Sequence, residues 1–122
     1  MGLLTDFFIA QYRHVVGKSG TEVDPMQHRH LEGKGIDTLK VEELGKLLKV
    51  PFELSPTNPD DTEQWVFALP PQFVRALAKL NEAKRKKVGD QWDAPADYFD
   101  KLCALARESE DSRFPMWFWM SL

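Results

Sequence analysis

Residues 114–122 read F-P-M-W-F-W-M-S-L, and the fold turns on how that stretch is buried. A chain terminus ordinarily frays, because its few residues cannot repay the entropy of being ordered. One carrying Trp117, Phe118, Trp119 and Met120 invites aggregation unless the fold encloses it. The stretch is therefore expected to be a buried strand, so that the protein is complete only when its last residue is made. Alternate side chains of a strand face opposite ways. Here both sets are apolar, with Met116, Phe118 and Met120 opposing Trp117 and Trp119. Two other stretches share the property: Phe8 and Ala10 oppose Phe7 and Ile9, and Trp65 and Phe67 oppose Val66 and Ala68. A sheet of such strands needs cover on both faces from helices, long loops or a second subunit. A buried indole also needs a partner for its N–H, which makes Trp117 and Trp119 candidates for a rim or a protein interface.

Outward from this strand, residues 6–12 read as a strand, with a short helix through 13–16 as the alternative for its second half. Residues 17–25 are turn-rich and 28–36 form a weaker strand, loosened by Gly33 and Gly35. Asp37 or Thr38 caps a helix to about Lys49, with Val41, Leu44, Leu47 and Leu48 as its stripe. Val50-Pro51 ends it. Residues 52–63 form a long polar loop, and 64–69 a strand. Pro70-Pro71 opens a helix carrying Phe73, Val74, Leu77 and Leu80. Asn81 caps a further helix to about Trp92, and Asp93 caps one over 95–107. The sum is a single α+β domain over 1–122: a small mixed or antiparallel sheet of about three to four strands, packed with about four helices.

The chain has 122 residues, 43% hydrophobic and 29% charged, ordinary for a globular domain able to build a core unaided. Net charge is −3. Residues 1–61 hold 7 basic and 10 acidic side chains and residues 62–122 hold 9 and 9, which argues against a general nucleic-acid binder. Cys103 is the one cysteine, so an intrachain disulfide and a multi-cysteine zinc site are excluded. The opening M-G-L-L-T-D-F-F-I-A lacks a basic n-region and carries Asp6 within its apolar run, unlike a signal peptide. No apolar stretch approaches ~18 residues, so no membrane partner is expected, and a reducing, cytoplasmic setting is.

Gly17-Lys18-Ser19 suggests a phosphate loop, but the pattern requires a Gly where Tyr12 stands and a helix after the Ser; a turn is expected instead. His28-x-His30 in a strand puts both rings on one face, with Glu32 and Asp24 nearby, and these histidines are the metal-ligand candidates, though the ligand set is incomplete. Cys103 lies beside Phe99 and Ala106 on a helix stripe and reads as a packing thiol. Lys84, Arg85, Lys86 and Lys87 fan around a helix at ~100° each, a solvated surface more than a basic stripe. No catalytic grouping can be assigned from spacing, and no cofactor is called for.

The opening L-L-T-D-F-F-I-A, the central W-V-F-A-L-P, the segment Gly35-Ile36-Asp37 and the closing W-M-S-L resemble a family of small uncharacterised bacterial proteins. That resemblance implies a bacterial, cytoplasmic, single-domain protein and brings no established activity, cofactor or site residue. The function expected is non-enzymatic, through a protein partner or self-association as a homodimer about Trp117 or Trp119. The alternative is a small enzyme or ligand-binding protein built around His28 and His30, with the 52–63 loop as a mobile cover. A weaker third reading is a nucleic-acid module using Lys79 and 84–87.

Overall fold

The computed structural model describes residues 4–33, 35–61 and 63–122. Strands β1 (Leu4–Ile9), β2 (Arg29–Glu32), β3 (Gln64–Ala68) and β4 (Met116–Ser121) form one sheet in the order β2-β1-β4-β3, antiparallel at every contact. Helices α1 (Thr38–Leu47), α2 (Pro71–Ala78), α3 (Glu82–Trp92) and α4 (Ala96–Ser112) complete an α+β domain. The aromatic stretch is therefore an inner strand, paired with β1 on one side and β3 on the other. Lys34 of the expected 28–36 strand, Thr62 of the long loop and residues 1–3 of the opening lie outside the described residues.

The registers sort each strand onto two faces. Phe7, Phe67 and Phe118 stand side by side, as do Ile9 and Met116. They meet the helices in the main core, with Leu44, Phe73, Leu77, Trp92, Phe99 and Leu102. The opposite face carries Phe8, Val66 and Trp117, and residues 10–28 cover it: Ala10, Val15 and Val23 complete a second cluster. Gly20 is what lets this segment lie flat, since a Cβ there would overlap the Gln64 carbonyl. One subunit thus covers most of both faces itself. Trp117 is fully buried and its indole N–H donates to the Ala10 carbonyl at 2.9 Å. The N–H that Trp117 had to satisfy is met inside the chain. Trp119 is half-buried, and its Nε1 has no partner among the described residues.

Caps explain most helix limits. Asp37 accepts from the Lys40 amide at 2.9 Å and Asn81 from the Lys84 amide at 2.9 Å, each quenching an orphan donor of the first turn. Asp93 departs from expectation. It ends α3 in the left-handed region, φ 58°, and α4 begins after Pro95 with no side-chain cap. The helix also runs on to Ser112, past Arg107, where Ser109 is still buried and its Oγ donates to the Phe114 carbonyl at 2.6 Å. The first strand starts at Leu4 and gives way to a 3-10 turn, Tyr12–His14, nearer to the helical alternative for that segment.

Candidate binding edge and cleft

A four-stranded sheet has two edges, each a row of unpaired main-chain groups unless something seals it. The hydrogen-bond parity here identifies the groups at each edge. The Gly33 amide donates to the Thr5 carbonyl at 2.7 Å. In an antiparallel ladder, bonded pairs alternate with non-bonded ones. Gly33, Leu31 and Arg29 therefore direct their N–H and C=O groups to β1, whereas those of His30 and Glu32 point away from the sheet. On β3 the Leu69 amide reaches the Met116 carbonyl at 3.2 Å, so by the same alternation Ala68, Val66 and Gln64 face outward, and the seal described next covers the last two.

The two edges are finished differently. At β3 the long loop folds back as a seal. The Thr57 amide donates to the Val66 carbonyl at 2.7 Å, and Asn58 Oδ1 accepts from the Val66 amide at 3.0 Å. Asn58 Nδ2 donates to the Gln64 carbonyl at 3.1 Å. The same loop is held by Phe52 against Phe73 (4.9 Å between rings) and by Asp61, whose Oδ2 accepts from the Gly20 amide at 2.8 Å. The 52–61 segment lies outside β3, itself three strand spacings of about 4.8 Å from β2, so it does not cover His28 or His30. At β2, no described residue bonds the outward groups of His30 and Glu32.

Beside this open edge lies a cleft of about 730 Å³. β2 forms one wall, and the starts of α1 and α4 with the α3–α4 connection form the other. Carboxylates of Glu32, Asp37, Asp93 and Asp97 outnumber the cations of Lys40 and Lys101 around it. Two of the six are already committed. Asp37 caps α1, and Lys40 Nζ donates to the Trp92 carbonyl while sitting 5.7 Å over the Trp92 ring. Trp92 Nε1 returns a bond to the Lys40 carbonyl at 2.8 Å, fixing α1 against the end of α3. Among the described residues the remaining charges of the cleft are mostly acidic. Leu31 packs under it against the main core, and Arg29 is gripped by Glu108 of α4 at 2.7 and 2.9 Å. That contact raises the guanidinium pKa and lowers that of Glu108.

The three histidines share the face away from the helices. His28 stacks on Phe8 at 5.7 Å and lies 5.7 Å from the His14 ring; burial, then the His14 charge, pull its pKa down. His30 stands opposite Phe8 and turns Nδ1 to the His28 carbonyl at 3.0 Å. Among the described residues no three His, Cys, Asp or Glu side chains converge as metal ligands. Asp6, opposite Glu32 and Trp119, is the strongly shifted carboxyl. Burial pushes it up to about 6, opposed by His30 and assisted by Glu32 and Asp24. Cys103 is buried, and that burial pushes its thiol up to about 12, leaving almost no thiolate at neutral pH. Tyr98 is raised by burial and then by Asp6, and its hydroxyl has no partner among the described residues. Residues 17–24 form turns and extended chain, with Gly17 at φ 82°. Lys84, Lys86 and Lys87 are exposed while Arg85 binds Asp100 at 3.2 Å and the Leu80 carbonyl at 2.9 Å. No described helix is long and apolar enough to cross a membrane. No family model, curated protein or solved structure matches the chain.

Proposed function

We propose that this protein acts by binding polypeptide rather than by catalysis, taking up an extended segment as a fifth strand on the β2 edge, in a cytoplasmic setting. The observation that carries the reading is the contrast between the edges: Val66 and the Gln64 carbonyl are sealed by Asn58 and Thr57, while nothing among the described residues bonds the outward main-chain groups of His30 and Glu32 beside a cleft. Strand addition draws affinity from such groups and selectivity from flanking pockets. The shifted side chains favour binding over chemistry, because they do not share a site. Asp6 is on one face of the sheet and Cys103 is in the core on the other, and Tyr98, also in that core, feels Asp6 only through its charge.

The test uses amide exchange with labelled peptides of about ten residues alternating Lys and Val, a length matched to an extended edge ligand. His30 and Glu32 amides are expected to exchange fast in dilute protein and to slow when a strand docks, whether peptide or protein. His30→Pro, which deletes one outward N–H and is tolerable on an edge, is expected to prevent docking. Fast exchange that neither peptide nor high protein concentration slows would defeat the reading.

A further inference from the structure

We propose that the strand accepted at this edge is β2 of a second copy, paired antiparallel about a two-fold axis between the two Leu31 residues. The inference rests on the reading that the β2 edge takes up a strand. It adds the identity and register of that strand.

Parity limits the choices. Since His30 and Glu32 hold the outward groups, they must form the bonded pairs of any such ladder, and a two-fold axis must pass through a residue position. Centred on position 30, His30 faces the partner's His30. Centred on 32, Glu32 faces the partner's Glu32, like charges directly opposed and destabilising. Centred on Leu31, His30 meets the partner's Glu32 and Glu32 meets the partner's His30, opposite partners twice over, with about four main-chain bonds between them.

The side chains suit that register on both faces. Glu32 is exposed and His30 half-buried, with Nδ1 donating to the His28 carbonyl, so that in the imidazolium form Nε2–H is left to donate to a carboxylate. On the helix-bearing face Leu31 meets the partner's Leu31, extending a core that Leu31 already joins. Arg29, held back by Glu108, stands opposite the partner's Gly33, which has no side chain to obstruct it. In Arg29-His30-Leu31-Glu32 the basic side chains precede Leu31 and the acidic one follows it, so a two-fold there joins unlike groups. The result is a continuous sheet of two four-stranded halves.

Sedimentation velocity from low micromolar to near-millimolar protein tests this. Wild type is expected to move from 14.1 kDa toward twice that mass. Glu32→Lys, a change at an exposed side chain that leaves the fold intact by near-ultraviolet circular dichroism, should weaken association by about tenfold or more, because both symmetric pairs lose the carboxylate that accepts from His30 and face two donors instead. The double exchange His30→Glu with Glu32→His rebuilds the pairs in swapped order and should restore association. A dimer indifferent to Glu32→Lys, or not rescued by the exchange, overturns the register. A wild-type monomer at every concentration that still takes up the Lys-Val peptide at β2 overturns the second copy while leaving strand uptake standing. A monomer that takes up nothing overturns both.

Discussion

Asp6 shows how one side chain can carry a stability cost. Its carboxyl sits half-exposed between the second cluster and β2, and its Oδ1 has no partner among the described residues. With a folded pKa of about 6 against an ordinary 3.8, the folded state holds the proton more tightly than the unfolded chain does. The stability this group contributes is full below about pH 4 and is lost as pH rises through 6. Asp6→Asn removes the charged form, so it should stabilise the protein at pH 7.5 by about 1 kcal/mol, after allowance for solvent screening. At pH 4 the variant and wild type should melt together. Urea titrations at the two pH values check this, and an equal effect at both would exclude the charge as the cause.

At the scale of an element, the 52–61 segment is the instructive case. Its prolines and polar residues read as a mobile loop, and its length gave no reason to expect order. What orders it is Asn58, whose single amide group both accepts from the Val66 amide and donates to the Gln64 carbonyl, standing in for a neighbouring strand. Asn58→Ala should cost about 2–3 kcal/mol, several bonds lost at about 1 kcal/mol each. It should also speed exchange at the Val66 amide and promote aggregation on warming, since a β-rich edge is uncovered. Thermal melts with light scattering measure both. Unchanged Val66 exchange would show that the seal does not depend on Asn58.

At the scale of the whole molecule, β4 joins the two halves of the sheet. It is the partner of both β1 and β3 and supplies Met116, Trp117 and Phe118 to the two clusters. Removing residues 114–122 strips β3 of its sheet neighbour and deletes buried aromatics worth about 3–5 kcal/mol each, against a total stability of roughly 5–15 kcal/mol. The truncated chain should be insoluble or should lose cooperative unfolding. A soluble truncation with a sharp melt would mean the main core forms without its inner strand.

Sequence alone determined what depends on near neighbours. The apolar alternation of β1, β3 and β4, the helical spacing of Phe73, Val74 and Leu77, and the caps Asp37 and Asn81 are short-range properties, and the α+β composition follows from them. Asp93 misled because a residue at a helix junction can end one helix or cap the next, and only its left-handed backbone chooses. The site was legible only as His30 with Glu32 nearby, because the features that matter there belong to no single stretch. Which edge is open follows from strand order. Which residues face outward follows from pairing to β1, and the acidic cleft forms because α1, α4 and β2 arrive together. Those are long-range pairings, fixed by how both sheet faces are buried at once, and tertiary structure alone decided them.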